Sequence, residues 1–277
     1  MAITNLDDLA VAMINGYRQS FQRGSVSSVA GCDSLLWRSI GFPSMGNIPT
    51  AAAVCAATTV GAYPLATRSA GQDRVLARVA ALASNAGTTI LFEDRLMHMG
   101  GLSGIVTTAQ TANLNLYSNL ANSNLDARKG AADYSEVEWW LDWYVTTGST
   151  AVTPSVSVTY ADGTTGSASI WLLGAINTPA SMAAARRAKI SPTNGKFIRS
   201  VESVTLSGTT GVAGNFGVSC TRVLSTACVP IANSLRMFDW MQLGCPKIED
   251  NACLTFSANA AGGSTGTLNG YVTQAVL

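Results

Sequence analysis

The stretch Glu136-Val-Glu-Trp-Trp-Leu-Asp-Trp-Tyr-Val145 decides the reading of this chain. Its odd positions, Val137, Trp139, Leu141, Trp143 and Val145, are all apolar. Its even positions carry Glu136, Glu138, Trp140, Asp142 and Tyr144. A period of two sends alternate side chains to opposite faces of a strand, so the spacing predicts a β-strand with one dry and one mixed face.

The pattern continues toward the C-terminus. Val156, Val158 and Tyr160 alternate with Ser and Thr, and Asp162-Gly163 supplies a hairpin turn before a return strand to about Leu172. Ser181 to Lys189 reads as a short helix with Arg186 and Arg187 exposed. Phe197 to Leu206 reads as a strand and Val212 to Val223 as its hairpin partner, with Phe216, Val218 and Cys220 on one face. Pro246 to Ala252 is loop, Cys253 to Ser257 a short strand, and Leu268 to Val276 the last strand. So many short strands separated by turn signals predict a mainly β protein, with an antiparallel β-sandwich over residues 131–277.

Toward the N-terminus the period changes. Leu6, Leu9, Ala10, Met13, Tyr17 and Phe21 follow helical spacing behind a Thr4-x-x-Asp7 capping signal, with Gly24 as the stop. Val75, Leu76, Val79 and Leu82 predict a second helix between Ser69 and Gly87. The irregular stretch from Ser25 to Thr67 reads as an extension that packs on something else. The expected organisation is a helical and extended arm over 1–87, a connecting region over 88–130 and the sandwich beyond.

Composition narrows the function. Charged residues are 12% of 277 residues, about half the usual share, and 17 basic against 16 acidic side chains give a net charge of +1. Nucleic acid is not an expected partner, because no basic cluster is longer than Arg186-Arg187. Mean hydropathy is +0.24. The longest low-charge stretch, Thr50 to Thr67, is broken by Gly61 and Pro64, so no membrane partner is expected either. The acidic start, Met1 to Asp8, lacks the basic segment of a secretory leader, and synthesis in a cytosol is expected.

Chemistry is sparse. His98 is the single histidine and would need Asp94 or Glu93 to act as a base. A turn or interface role suits it better. Ser103 fails the G-x-S-x-G pattern because residue 105 is Ile. Glu136 and Glu138 lie about 7 Å apart on one strand face, and read as a solvated or subunit-facing edge. The glycine-rich stretches 208–217 and 262–270 lack the Lys-Ser/Thr pair of a phosphate cradle. No catalytic residue, cofactor or metal site is expected.

Cys32, Cys55, Cys220, Cys228, Cys245 and Cys253 form no C-x-x-C pair. The spacing C-x7-C occurs twice, at Cys220/Cys228 and Cys245/Cys253. On one continuous strand such a pair would sit about 26 Å apart, so any disulfides join different strands or different chains. The other reading is six reduced thiols packed as small apolar groups. Trp140 and Tyr144, on the mixed face, suit a neighbouring subunit or a stacked sugar.

Four segments then suggest a family: Arg95-Leu-Met-His-Met-Gly-Gly-Leu-Ser-Gly104, Ser135-Glu-Val-Glu-Trp-Trp-Leu-Asp-Trp-Tyr144, Val204 to Val218, and Thr267-Leu-Asn-Gly270. From Thr88 to the C-terminus the chain resembles virion structural proteins of tailed bacteriophages. The resemblance implies a subunit without chemistry of its own, assembled in the host cytoplasm and carried in the virion. Its partners would be copies of itself and the portal, neck or capsid proteins. A neck or collar ring is the favoured site, with a capsid decoration or tail protein, or a carbohydrate-binding module of a fibre, as alternatives. A hydrolase would have to depend on His98.

Overall fold

The computed structural model describes residues 6–28, 32–171, 184–192 and 194–277. The chain opens with α1 (Leu6–Ile14) and β1 (Tyr17–Arg23). Short strands follow: β2 (Asp33–Ser34), β3 (Gly41–Phe42) and β4 (Ala53–Val54), with a 3-10 turn at Leu36–Arg38. Then come β5 (Arg74–Ala83), β6 (Thr88–His98), β7 (Gln110–Asn115), the short α2 (Leu125–Arg128) and β8 (Val137–Val145). Next are β9 (Pro154–Tyr160), β10 (Thr165–Trp171), β11 (Arg186–Pro192), β12 (Ile198–Leu206) and β13 (Asn215–Val229). The chain ends with β14 (Arg236–Asp239), α3 (Trp240–Leu243), β15 (Leu254–Ala260) and β16 (Leu268–Val276).

The fold is mainly β, but it is not clearly a sandwich. Strands β2, β15, β6, β13, β8 and β11 pair in that order, and β11 returns to β2, closing a six-stranded antiparallel barrel. The closing pairs are Arg186 with Ser34 and Arg187 with Asp33. From the other end of β11, strands β10, β9, β12 and β7 continue as a sheet. It covers the barrel wall at β8, where Trp139, Leu141 and Trp143 pack with Val156, Val158, Val201 and Val204. A separate five-stranded sheet, β14-β5-β16-β1-β3, packs on the barrel through a second core. That core joins Phe21, Leu76, Val79 and Val272 to Phe92, Leu254 and Phe256.

Several expectations are corrected. The predicted helix over 69–87 is β5. Its ten residues are buried or nearly so on both faces, and a doubly covered strand has no alternation to separate it from a helix. The first helix stops at Ile14, and Tyr17 and Phe21 belong to β1, paired with β16. The predicted hairpin of 197–206 with 212–223 does not form: β12 pairs with β7 and β9, and β13 with β6 and β8. Residues Arg186 to Lys189 are strand instead of helix, and 181–183 lie outside the described residues. The hairpin at Asp162-Gly163 joins β9 to β10 as predicted.

The irregular 25–67 segment packs on its own chain. Leu36, Trp37, Cys55 and Tyr63 are fully buried, and the Tyr63 hydroxyl donates to the Gln19 carbonyl. The accessible surface, 11226 Å², matches the roughly 11,300 Å² expected of a compact monomer this size. Trp37 is clamped by Gly46 and Gly61, where a Cβ would run into the indole ring. Gly61 also has a φ of +96°, a conformation that favours glycine.

Candidate functional site

The most chemically loaded part of the molecule is the interior of the barrel. On β8 the even residues point inward, so Trp140, Asp142 and Tyr144 are buried, and the mixed face is covered instead of wet. Cross-strand partners share that face: Ser219 lies opposite Trp140, and Arg187 opposite Asp142. On β6 the register slips by one residue between the Cys220–Met97 and Thr221–Arg95 pairs. That bulge brings Arg95 and His98 to the same side.

Two ion pairs cross this interior between strands that are not neighbours. Arg95 Nη2 on β6 donates to Asp142 Oδ2 on β8 at 2.6 Å and to the Tyr144 hydroxyl at 3.0 Å. Arg187 on β11 grips Glu93 on β6 through both Nη atoms, with Nη1–Oε2 at 2.9 Å, and reaches Ser257 Oγ at 2.6 Å. The Arg187 guanidinium stacks over Trp140, 3.8 Å from the ring centroid, and Trp140 Nε1 donates to Thr221 Oγ1 at 3.0 Å. Trp37 closes one end, with Arg95 4.6 Å from its ring centroid and His98 at 5.3 Å. A third pair lies outside the interior: Arg128 holds Asp94 at 2.6 and 2.9 Å, and Cys253 N donates to Asp94 Oδ1.

Burial pushes the Glu93 carboxyl up, and the Arg187 charge pulls it back only in part. Asp94 behaves alike, burial against Arg128. Burial opposes the Arg95 charge, but Asp142 and Tyr144 outweigh it and hold the guanidinium protonated. Burial and the neighbouring Asp142 keep the Tyr144 phenol well above its usual range.

The sequence candidates fall as follows. Trp140 and Tyr144 are 4% and 2% exposed, so neither offers a ring to a sugar or to a neighbouring subunit. His98 is buried, and its Nδ1 accepts from Arg95 Nε at 3.3 Å. Ser103 Oγ accepts from the Ile105 amide at 3.4 Å. Glu136 pairs with Arg222 and Glu138 with Lys189, each at 2.6 Å. Arg186 and Arg187, expected on the surface, are both buried.

No disulfide joins any of the six cysteines. Cys32, Cys55, Cys220 and Cys253 are buried, Cys245 is half-buried and Cys228 is exposed. The C-x7-C spacing joins nothing. Cys55 and Cys253, far apart in sequence, are the pair brought together: their backbones bond to the adjacent β6 residues Leu96 and Arg95, each at 2.9 Å. Among the described residues no group of three His, Cys, Asp or Glu is arranged to hold a metal ion, and no helix is long and apolar enough to cross a membrane.

The signal for the interior was present in Leu-Phe-Glu93-Asp-Arg95-Leu-Met. Three consecutive charges inside an apolar run, in a chain with so few charges, need partners that are also buried. Comparisons with family models, with curated proteins and with solved structures find no match.

Proposed function

We propose that this chain is a non-enzymatic structural subunit of a tailed-bacteriophage particle, assembling as a ring of copies at the neck or collar, in contact with portal, neck or capsid proteins. Its place is the virion, after assembly in the host cytoplasm. The observation that carries the reading is the distribution of charge. Ten charged side chains are buried: Arg23, Arg74, Glu93, Asp94, Arg95, Arg128, Lys129, Asp142, Arg186 and Arg187. Of 33 charged residues, 23 remain for the rest of the molecule, so a surface already poor in charge is poorer still.

Large apolar side chains stand out on that surface, at both edges of the five-stranded sheet. Beside the β14 edge are Ile231, Leu235, Met237 and Met241, the last 72% exposed. Beside the β3 edge are Ile40, 71% exposed, Phe42 and Met45. Free sheet edges are ordinarily guarded by charge or proline, and here exposed Arg236 and Asp239 bracket β14 and Pro43 follows β3, with the apolar side chains set among them. Exposed apolar patches of this kind mark contact surfaces. Two different patches at opposite edges of one sheet suit a head-to-tail contact, which closes into a ring when the rotation allows. The engaged states of His98, Ser103, Glu136 and Glu138 also favour a structural role, and the burial of Trp140 and Tyr144 favours it over the carbohydrate-binding alternative.

Sedimentation of particles from a host lysate, followed by quantitative mass spectrometry, tests this. The chain is expected in the particle band at a fixed ratio to the portal protein. A ratio that follows the major capsid protein would move it to capsid decoration. Recovery only from the soluble fraction would overturn the virion role.

A further inference from the structure

We propose that Cys55 and Cys253 form a disulfide-forming pair that ties the 53–63 segment covalently to the barrel once the protein meets a low-molecular-weight disulfide such as oxidised glutathione. The placement comes from β6. Strands β4 and β15 lie end to end along the same edge of β6, β4 opposite His98 and Met97 and β15 beginning opposite Asp94. Cys55 and Cys253 occupy the junction. Cys55 N donates to the Leu96 carbonyl and Arg95 N donates to the Cys253 carbonyl, both at 2.9 Å. A disulfide spans roughly 4.4–6.8 Å between Cα atoms, and two chains held against neighbouring positions of one strand edge come close to that range.

The surroundings suit exchange chemistry. Cys253, His98 and Arg95 are the groups that act on the Cys55 thiol. Burial alone would raise the Cys55 thiol, but these three partners outweigh it and favour its thiolate. Arg128 Nη1 fixes the Cys55 carbonyl at 2.6 Å, and Asp94 fixes the Cys253 amide at 2.9 Å, so neither backbone is free to drift. In the first step the Cys55 thiolate attacks one sulfur of the small disulfide, giving a mixed disulfide and releasing one thiolate. In the second, Cys253 gives its proton to solvent and attacks the Cys55 sulfur, and the second small thiolate leaves and takes up a proton. The balance is two protein thiols and one small disulfide giving one protein disulfide and two small thiols. Both thiols are fully buried, so reaction requires local opening and runs slower than labelling of exposed Cys228.

The test incubates the full chain with oxidised glutathione, blocks remaining thiols and maps peptides without reduction. The expected result is a Cys55–Cys253 linked peptide two hydrogens lighter than the sum of its parts. It comes with a thermal midpoint raised by about 5 °C that reductant reverses. In Cys253→Ser, Cys55 should stop at the glutathione adduct. Linkage of Cys55 to Cys220, or full blocking of both Cys55 and Cys253 after oxidation, would overturn the proposal. Because the wild-type map alone decides the pairing, a variant that fails to fold does not leave the question open.

Discussion

The barrel and the five-stranded sheet are made from similar strands, yet the contacts that dominate inside each differ: paired charges in the barrel, and apolar side chains under the sheet, which also buries Arg23 and Arg74. The barrel encloses Arg95 with Asp142 and Arg187 with Glu93. The sheet presses Phe21, Leu76, Val79 and Val272 onto Phe92 and Phe256, with Phe256 ringed by Phe21, Tyr63 and Phe92 at 5.2–5.3 Å. Apolar burial contributes net stability at roughly 25 cal/mol per Å². A buried ion pair contributes little net, because desolvation offsets its attraction, but it penalises any arrangement that leaves one partner alone. The sheet therefore supplies stability, and the barrel interior enforces register. A one-residue slip of β6 would turn Glu93 and Arg95 out of the interior and Asp94 in.

The largest effect expected is in the barrel. Arg187→Met leaves Glu93 buried without its cation and should cost about 3–5 kcal/mol in urea unfolding. Adding Glu93→Gln should recover part of that loss. A single-variant cost below about 1 kcal/mol would show that the pair enforces nothing. In the sheet, Leu76→Ala should cost about 3 kcal/mol, with no partner substitution able to restore it short of refilling the cavity. Trp140→Phe keeps the ring but loses the bond to Thr221 and weakens the stack on Arg187, for about 1–2 kcal/mol by thermal melting.

At the β14 edge, Met237→Arg should change stability by no more than about 0.5 kcal/mol while abolishing oligomers in sedimentation velocity. The smallest effect belongs to the surface pair. The Arg68 hydrogen bond holds the Asp250 carboxyl below its usual range. Its folded pKa is depressed, so its contribution is present above the unfolded value near 3.9 and fades as pH falls through the folded value. Asp250 is half exposed, and Asp250→Asn should cost at most about 0.5 kcal/mol at pH 7 and nothing measurable in strong acid.

The sequence made the strand at 137–145 legible because its odd residues form an unbroken apolar row. It misled about the even ones. Trp140 and Tyr144 next to Asp142 look like a half-wet face, and only barrel closure shows that Asp142 has a buried cation to meet. Arg187 gave no local hint, since two adjacent arginines in Ala-rich surroundings read equally well as a solvated helix. Val75 to Leu82 deceived for the opposite reason: apolar on both faces, it carries no period that separates strand from helix. Barrel closure itself rests on the two-residue β2, and pairing so short leaves no trace in sequence. Likewise Cys55 and Cys253 meet only because β4 and β15 share an edge of β6, which no spacing rule records.

The same contrast of charge inside and apolar side chains on the rim ties the fold to its proposed role, and native mass spectrometry of the purified chain tests that link most directly. Ring assembly predicts a single closed oligomer of fixed stoichiometry that Met237→Arg reduces to monomer without unfolding it. A monomer at every concentration, with the Ile40 and Met241 patches both open to surface labelling, would contradict it.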